Sequence, residues 1–236
     1  MIIYGRNPVR EALRGRRAHS VTEVWATPRA AHEPWLSGVR VRSATGEAIE
    51  ARCGSSAHQG ICAQARSYPY VGACELLVRP DALVLALDQI QDPQNLGSLC
   101  RTAECAGVTG VVIPERRAAE VTPAACKASA GAVEHLRVAR VRNVADFLVQ
   151  AKHAGCWCYG ASAAATVGYD QPDYRGGVVL VLGGEGKGLR PRVAAACDEL
   201  VALPLRGQIE SLNVGAAGAV LLYEILQRKS GLDSGS

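Results

Sequence analysis

Apolar residues along the chain gather into short unbroken runs at 82–87, 110–113, 156–159, 178–182 and 200–205. Runs without alternation predict strands buried on both faces, and the helical stretches between them predict a parallel sheet covered on two sides. Those helices are expected at 96–106, 144–154 and 189–197. A last amphipathic helix is expected at 214–228, where Val214, Ala217, Gly218, Leu221, Leu222 and Ile225 share one face.

The first part of the chain has a different rhythm. Strands are expected at 2–4, 21–26, 39–41 and 61–65. A helix is expected at 9–14, with Asn7 as its N-cap, Pro8 at its first position and Gly15 as its stop. The pattern divides the chain into a small α/β domain at 1–67, a linker at 68–81 marked by Pro69, Gly72 and Pro80, a larger domain at 82–229 and a tail at 230–236.

With 236 residues, 48% of them hydrophobic and 20% charged, the chain can bury a sizeable core and is not a disordered polyelectrolyte. No apolar run is long enough to cross a bilayer. The opening Met1-Ile2-Ile3-Tyr4-Gly5-Arg6 lacks the layout of a signal peptide, so a cytoplasmic location is expected. The nine cysteines are odd in number and form no CxxC pair. They read as reduced, mostly buried thiols, with Cys156 and Cys158 on one face of a strand.

Charge changes the picture. Arginine outnumbers lysine 22 to 4, and residues 1–80 hold 11 Arg against 6 Glu, a net of +5. Residues 81–236 hold 15 Lys and Arg against 16 Asp and Glu, a net of −1. A basic, Arg-rich module joined to a near-neutral one is what a polyanion-holding domain needs, although a solvated basic surface has the same balance.

Three polar clusters follow strands. The first is Asp92-Pro93-Gln94-Asn95-Leu96-Gly97 with Arg101 one turn or more further on. Taken alone, Asn95 reads as a helix cap and Arg101 as a surface residue. The second is Leu182-Gly183-Gly184-Glu185-Gly186-Lys187-Gly188-Leu189, whose glycines fit neither GxGxxG nor GxxxxGK[ST]. Glu185 at its centre would repel phosphate and suits a ligand with a positive centre or with hydroxyl and amino groups. The third is Leu203-Pro204-Leu205 followed by Ser211-Leu212-Asn213-Val214, at the start of the last helix. Ligands of open α/β sheets bind beyond the carboxyl ends of strands, so the three loops are expected to form one composite site.

Together these clusters resemble, in order and spacing, the three signature motifs of the SpoU (TrmH) branch of the SPOUT RNA methyltransferases. Ile3-Tyr4-Gly5-Arg6-Asn7-Pro8-Val9 and His58-Gln59-Gly60-Ile61 resemble the small substrate-binding domain of the ribosomal RNA guanosine 2′-O-methyltransferase subgroup. The resemblance implies a knotted (trefoil) parallel-sheet α/β methyltransferase domain preceded by a small α/β RNA-binding domain. It implies S-adenosylmethionine as methyl donor, held by Gly183, Leu203 and Leu212, with Ala161, Gly186 and Leu205 as neighbours. It places Arg101 at the chemistry, with Asn95, Glu185, Ser211 and Asn213 positioning it and the ribose. It implies a homodimer and structured RNA, above all 23S ribosomal RNA, as partner.

A sulfonium methyl is already activated, so the transfer calls for alignment and proton removal rather than a metal. A free guanidinium is too basic to accept a proton at neutral pH, which leaves Arg101 either with a depressed pKa or as an electrostatic clamp. Two departures stand out: Gly215-Ala216-Ala217 follows where the family often has Ser-x-Ala, and residues 44–57 match weakly. The readings that compete are methylation of transfer RNA or of another ribosomal site, and a catalytically silent RNA-binding assembly factor on the same fold. A nucleotide-dependent oxidoreductase is a more distant third, because the glycine spacing fails.

Overall fold

The computed structural model describes residues 1–209 and 211–231, so the expected tail lies outside the described residues from 232 onward. The core is a seven-stranded sheet built from β5 (Leu83–Asp88), β6 (Gly110–Pro114), β7 (Val138–Val141), β8 (Cys156–Ala161), β9 (Val167–Gly168), β10 (Gly177–Gly183) and β11 (Glu199–Ala202). Its order is β7-β6-β5-β10-β8-β11-β9, and every pairing is parallel. The sheet is covered on both faces, as unbroken apolar runs require. Leu83, Leu85, Leu87, Val178, Leu180 and Leu182 face α4 (Pro93–Cys105) and α8 (Val214–Lys229). Val84, Ala86, Val179 and Val181 face α6 (Val144–His153) and α7 (Pro191–Ala196).

A second, four-stranded sheet carries β1 (Ile2–Tyr4), β2 (Val21–Ala26), β3 (Val41–Ser43) and β4 (Ile61–Ala65) in the order β1-β4-β2-β3. Three helices belong to it: α1 (Arg6–Ala12), α2 (Pro28–Ala31) and α3 (Gly46–Cys53). The stretch between the sheets is packed: buried Tyr68 donates its hydroxyl to the Leu136 carbonyl at 2.7 Å, and the Val71 amide donates to Val138 at 3.0 Å. Beside it, Arg17 and Glu134, each 1% exposed, form a bidentate pair at 2.6 and 2.7 Å across the junction. Arg17 also donates to the Arg66 carbonyl at 3.0 Å.

One feature of strand order bears on the site. β11 lies between β8 and β9, which are consecutive in sequence, and Val201 is in register with both Ala161 and Val167. The short link 162–166 therefore spans two strand spacings, about 10 Å, past the end where the chain leaves β11.

The structure moves several expected boundaries. α1 begins at Arg6, because Gly5 at φ 95° turns the chain out of β1 and serves as N-cap; Asn7 lies inside the helix. α4 begins at Pro93, with Asp92 accepting from the Gln94 amide at 2.9 Å. Asn95 is thus not a cap, and its side chain is left for other work. β11 stops at Ala202, three residues short of the expected end. The pattern gave no sign of β7, β9, α3 or α5 (Pro123–Ala128), all of them short or weakly apolar.

Candidate active site

The three polar clusters meet. β5 and β10 are neighbours in register to their last residues, Asp88 opposite Gly183, so the loops after them leave side by side. The chain after β11 leads into α8, whose start at Val214 is capped by the Asn213 side chain accepting from the Gly215 amide at 2.9 Å.

At the meeting point Asn95 and Asn213 share one acceptor. The Asn95 amide donates to Glu185 Oε1 at 2.8 Å, and the Asn213 amide donates to the same oxygen at 2.9 Å. Asn213 also donates to Asn95 Oδ1 at 3.1 Å. Among the described residues Glu185 Oε2 has no hydrogen-bond partner and the carboxylate has no cationic one. Two amides fix the carboxylate's orientation while half of its acceptor capacity stays open.

The glycine loop that presents Glu185 closes on itself: the Gly188 amide donates to the Gly184 carbonyl at 3.0 Å. A methyl at Gly183 would run into the Gly188 backbone, so this close approach requires glycine. The far end of the loop is tied down by Asp88, fully buried at the end of β5. Its carboxylate accepts from the Arg190 backbone amide at 2.9 Å and from the Arg190 guanidinium at 2.8 Å. The sequence reading gave Asp88 and Arg190 no role; an acid closing a wholly apolar strand was the available signal.

A cavity of about 580 Å³ opens between the loops that follow β8, β10 and β11. Ala161, Gly183, Gly186, Leu203, Leu205 and Leu212, the six positions expected at the donor, all line it, together with Glu185, Ser211 and Asn213. Leu182, Val201 and Leu221 line its base, and Ser162 and Lys187 add polar groups to its wall. A second cavity, of about 300 Å³, lies on the other side of Glu185; Gln91, Asp92, Asn95 and Lys187 line it. Glu185, Gly184 and Lys187 belong to both.

Arg101 is placed differently. It is exposed on α4, lines neither cavity, and makes no hydrogen bond or ion pair among the described residues. Ser211 lines the larger cavity, and its side chain makes no hydrogen bond among the described residues. The structure thus joins Asn95, Glu185 and Asn213 directly, sets Ser211 on the wall, and leaves Arg101 facing outward.

A parallel sheet whose three C-terminal loops close an apolar cavity behind an unpaired carboxylate defines a binding site for a small ligand with a cationic, non-phosphate centre. The comparisons give this class its family. Residues 82–223 match the SpoU rRNA Methylase family and residues 2–71 match the RNA 2′-O ribose methyltransferase substrate binding domain; the chain belongs to the SpoU family. It is 41% identical over 199 residues to the 23S rRNA (guanosine-2′-O-)-methyltransferase RlmB of Xanthomonas campestris, covering 82% of this chain and 80% of that one. It is 35% identical over 242 residues to an uncharacterized tRNA/rRNA methyltransferase of Synechocystis sp., covering 97% of this chain but 62% of that longer relative. Among solved structures, the AdoMet-bound rRNA methyltransferase of Sinorhizobium meliloti aligns with a TM-score of 0.79 at 25% identity, covering 96% of this chain and 86% of that one.

Proposed function

We propose that the chain transfers the methyl group of S-adenosylmethionine to a ribose 2′-hydroxyl in structured RNA, with a guanosine of 23S ribosomal RNA as acceptor. The observation that carries this reading is the position of Glu185: one carboxylate, pinned by two asparagine amides, forms the wall shared by two cavities. The larger cavity fits the donor. Its leucines suit an adenine and a methionine chain, it offers no cationic phosphate cradle, and the open Glu185 Oε2 suits a positively charged centre. When bound, the donor supplies an activated methyl on a sulfonium.

This chain's residues then do the rest. Gly183, Leu203 and Leu212, with Ala161, Gly186 and Leu205, hold the donor. Asn95 from the side of the second cavity, where the acceptor nucleoside enters, and Asn213 from the larger cavity orient Glu185 and the sugar. Ser211 adds a hydroxyl to the same wall. Arg101 grips the phosphate next to the acceptor and stabilises charge as the 2′-oxygen loses its proton. Since Arg101 faces away from the cavity of its own chain, the site is completed by a second copy. Exposed Val220 and Tyr223 on α8, 43% and 50% accessible, provide an apolar face for that homodimer.

The division into an RNA-holding domain at 1–67, a link at 68–81 and a catalytic domain at 82–229 follows the two sheets. The trefoil knot is supported by the insertion of β11 between β8 and β9 beneath the 162–166 link. Among the described residues no helix is long and apolar enough to cross a membrane. We place the reaction in the cytoplasm, where ribosomal RNA is folded.

The test is incubation with methyl-labelled donor and, separately, 23S ribosomal RNA and transfer RNA, followed by mapping of the modified ribose. Label on a 2′-oxygen of 23S RNA is expected. Label on transfer RNA alone would move the acceptor, and donor binding with no transfer to any RNA would leave a silent RNA-binding module.

A further inference from the structure

The two motifs of the small domain, 3–9 and 58–61, come together, and the catalytic site makes no use of them. β1 and β4 are antiparallel, with Tyr4 opposite Cys62, and the Gly5 amide donates to the Ile61 carbonyl at 3.1 Å. Gln59 sits in the left-handed region at φ 55°, an uncommon conformation for a residue with a side chain. That turn aims its Oε1 back at the Arg6 amide, which donates to it at 3.0 Å. Lys127, on α5 of the large sheet, donates its ammonium to the same oxygen at 3.0 Å. A methyl at Gly5 would stand 2.5 Å from that ammonium, so glycine is needed here both for its φ of 95° and to let the lysine lie across the backbone.

A cavity of about 410 Å³ opens at this junction, lined by Arg6, Thr27, Arg29, Gln59 and Gly60. Arg6 is paired with Glu33 at 2.8 Å. Arg29 is exposed and makes no hydrogen bond or ion pair among the described residues, and Lys127 has no carboxylate partner there. Arg6 and Arg29 line the cavity, Lys127 reaches Gln59 on its wall, and Glu33 is paired with Arg6 alone. Partial burial lowers the Lys127 pKa, so holding that charge at the junction without a counter-ion is unfavourable unless an anion arrives.

We propose that Arg6, Arg29 and Lys127 form a phosphodiester-binding cleft that grips the RNA backbone with groups from both sheets at once. The proposal rests on the reading that this chain acts on RNA. Gln59 accepts from both Arg6 and Lys127 through its oxygen, which leaves its amide hydrogens as further donors for a phosphate oxygen. Because Lys127 reaches in from the catalytic side, a strand seated here is held in fixed register with the methylation site.

The experiment is equilibrium binding of labelled 23S ribosomal RNA to the full chain over a range of salt concentrations, with Arg29→Ala and Lys127→Ala. Each variant is expected to bind about five- to tenfold more weakly and to lower the slope of log K against log salt by about 0.7–0.9, the loss of one phosphate contact. Donor affinity and melting temperature should stay as in the wild type, most securely for Arg29→Ala, which removes no hydrogen bond or ion pair among the described residues. Lys127→Arg should restore the slope. A wild type that binds and methylates the RNA while both variants keep its affinity and slope overturns the cleft alone. A wild type that does not bind the RNA overturns the functional reading and the cleft with it. If millimolar inorganic phosphate raises the melting temperature of the wild type but not of Arg29→Ala, while both variants bind RNA normally, the site takes a free anion and the proposal is wrong.

Discussion

Asn213 donates through its side-chain amide to Asn95 Oδ1 at 3.1 Å, across 118 positions of sequence. Both amides then converge on one oxygen of Glu185, so each asparagine orients the carboxylate and the other amide together. Asn95→Asp tests this arrangement. It sets a second carboxylate within hydrogen-bond distance of Glu185, and like charges so close force one pKa upward. Above that raised pKa both are ionised and repel. As pH falls through the raised pKa, one proton enters the pair and restores the missing donor. Methyl transfer by Asn95→Asp is therefore expected to be about tenfold or more below wild type at pH 8 and to recover as pH is lowered. A pH–rate profile parallel to that of the wild type would remove Asn95 from the carboxylate's control.

The Arg101 side chain is exposed and makes no hydrogen bond or ion pair among the described residues, so removing it should not disturb the fold. Arg101→Ala is expected to lower turnover by at least about a hundredfold, with donor binding and melting temperature unchanged. Arg101→Lys should recover little, since a point charge cannot reproduce the planar fork. Titration calorimetry beside single-turnover transfer separates the two quantities, and substantial turnover by Arg101→Ala would take it off the list of catalytic residues.

Gly183→Ala puts a methyl into the Gly188 backbone and must open the glycine loop. Donor affinity is expected to fall by about tenfold or more, while the small sheet, which shares no residue with the loop, keeps its RNA contacts. Donor calorimetry and RNA binding measured on the same preparation check the split.

The junction of the two sheets is held by a fully buried ion pair, and removing one partner leaves the other charge stranded. Arg17→Met or Glu134→Leu alone is expected to cost about 3–5 kcal/mol of stability, while the double replacement recovers much of the loss. Denaturant unfolding of the three variants measures this; a loss in the double variant equal to the sum of the two single losses would mean that the pair is not coupled.

All nine cysteines are free thiols, and burial governs their reactivity. Desolvation pushes the Cys100 and Cys158 thiols up to about 12. Thiolate is the reactive form, so iodoacetamide at pH 7.5 is expected to label the exposed Cys74 and Cys105 first and to spare Cys100 and Cys158 until the chain unfolds. Mass spectrometry of the labelled native protein reads this out directly.

The large sheet was legible because its strands are apolar without interruption, and 156–161 or 177–183 can be little else. The composite site was legible because three polar loops each follow such a strand. What escaped notice had weak local signals. β9 is two residues long, and β7 shares its apolar character with many loops. Asn95 read as a cap because it directly precedes the helix expected at 96–106, but the helix starts at Pro93, and Asp92 takes that role and frees it. The Asp88–Arg190 tie joins residues 102 positions apart, and no pattern within one segment encodes such a partnership. Arg101 was named by motif alone, and the structure leaves it exposed and outside both cavities.

The placement of β11 has a consequence for the order of events during synthesis. The strand that lies between β8 and the edge strand β9 is made after both of them, and the residues that follow it supply Leu203, Leu212 and Asn213 to the cavity. A growing chain that has already shaped its RNA-facing sheet still lacks one wall of the donor pocket. The order of translation thus withholds methyl transfer until the catalytic fold is nearly finished.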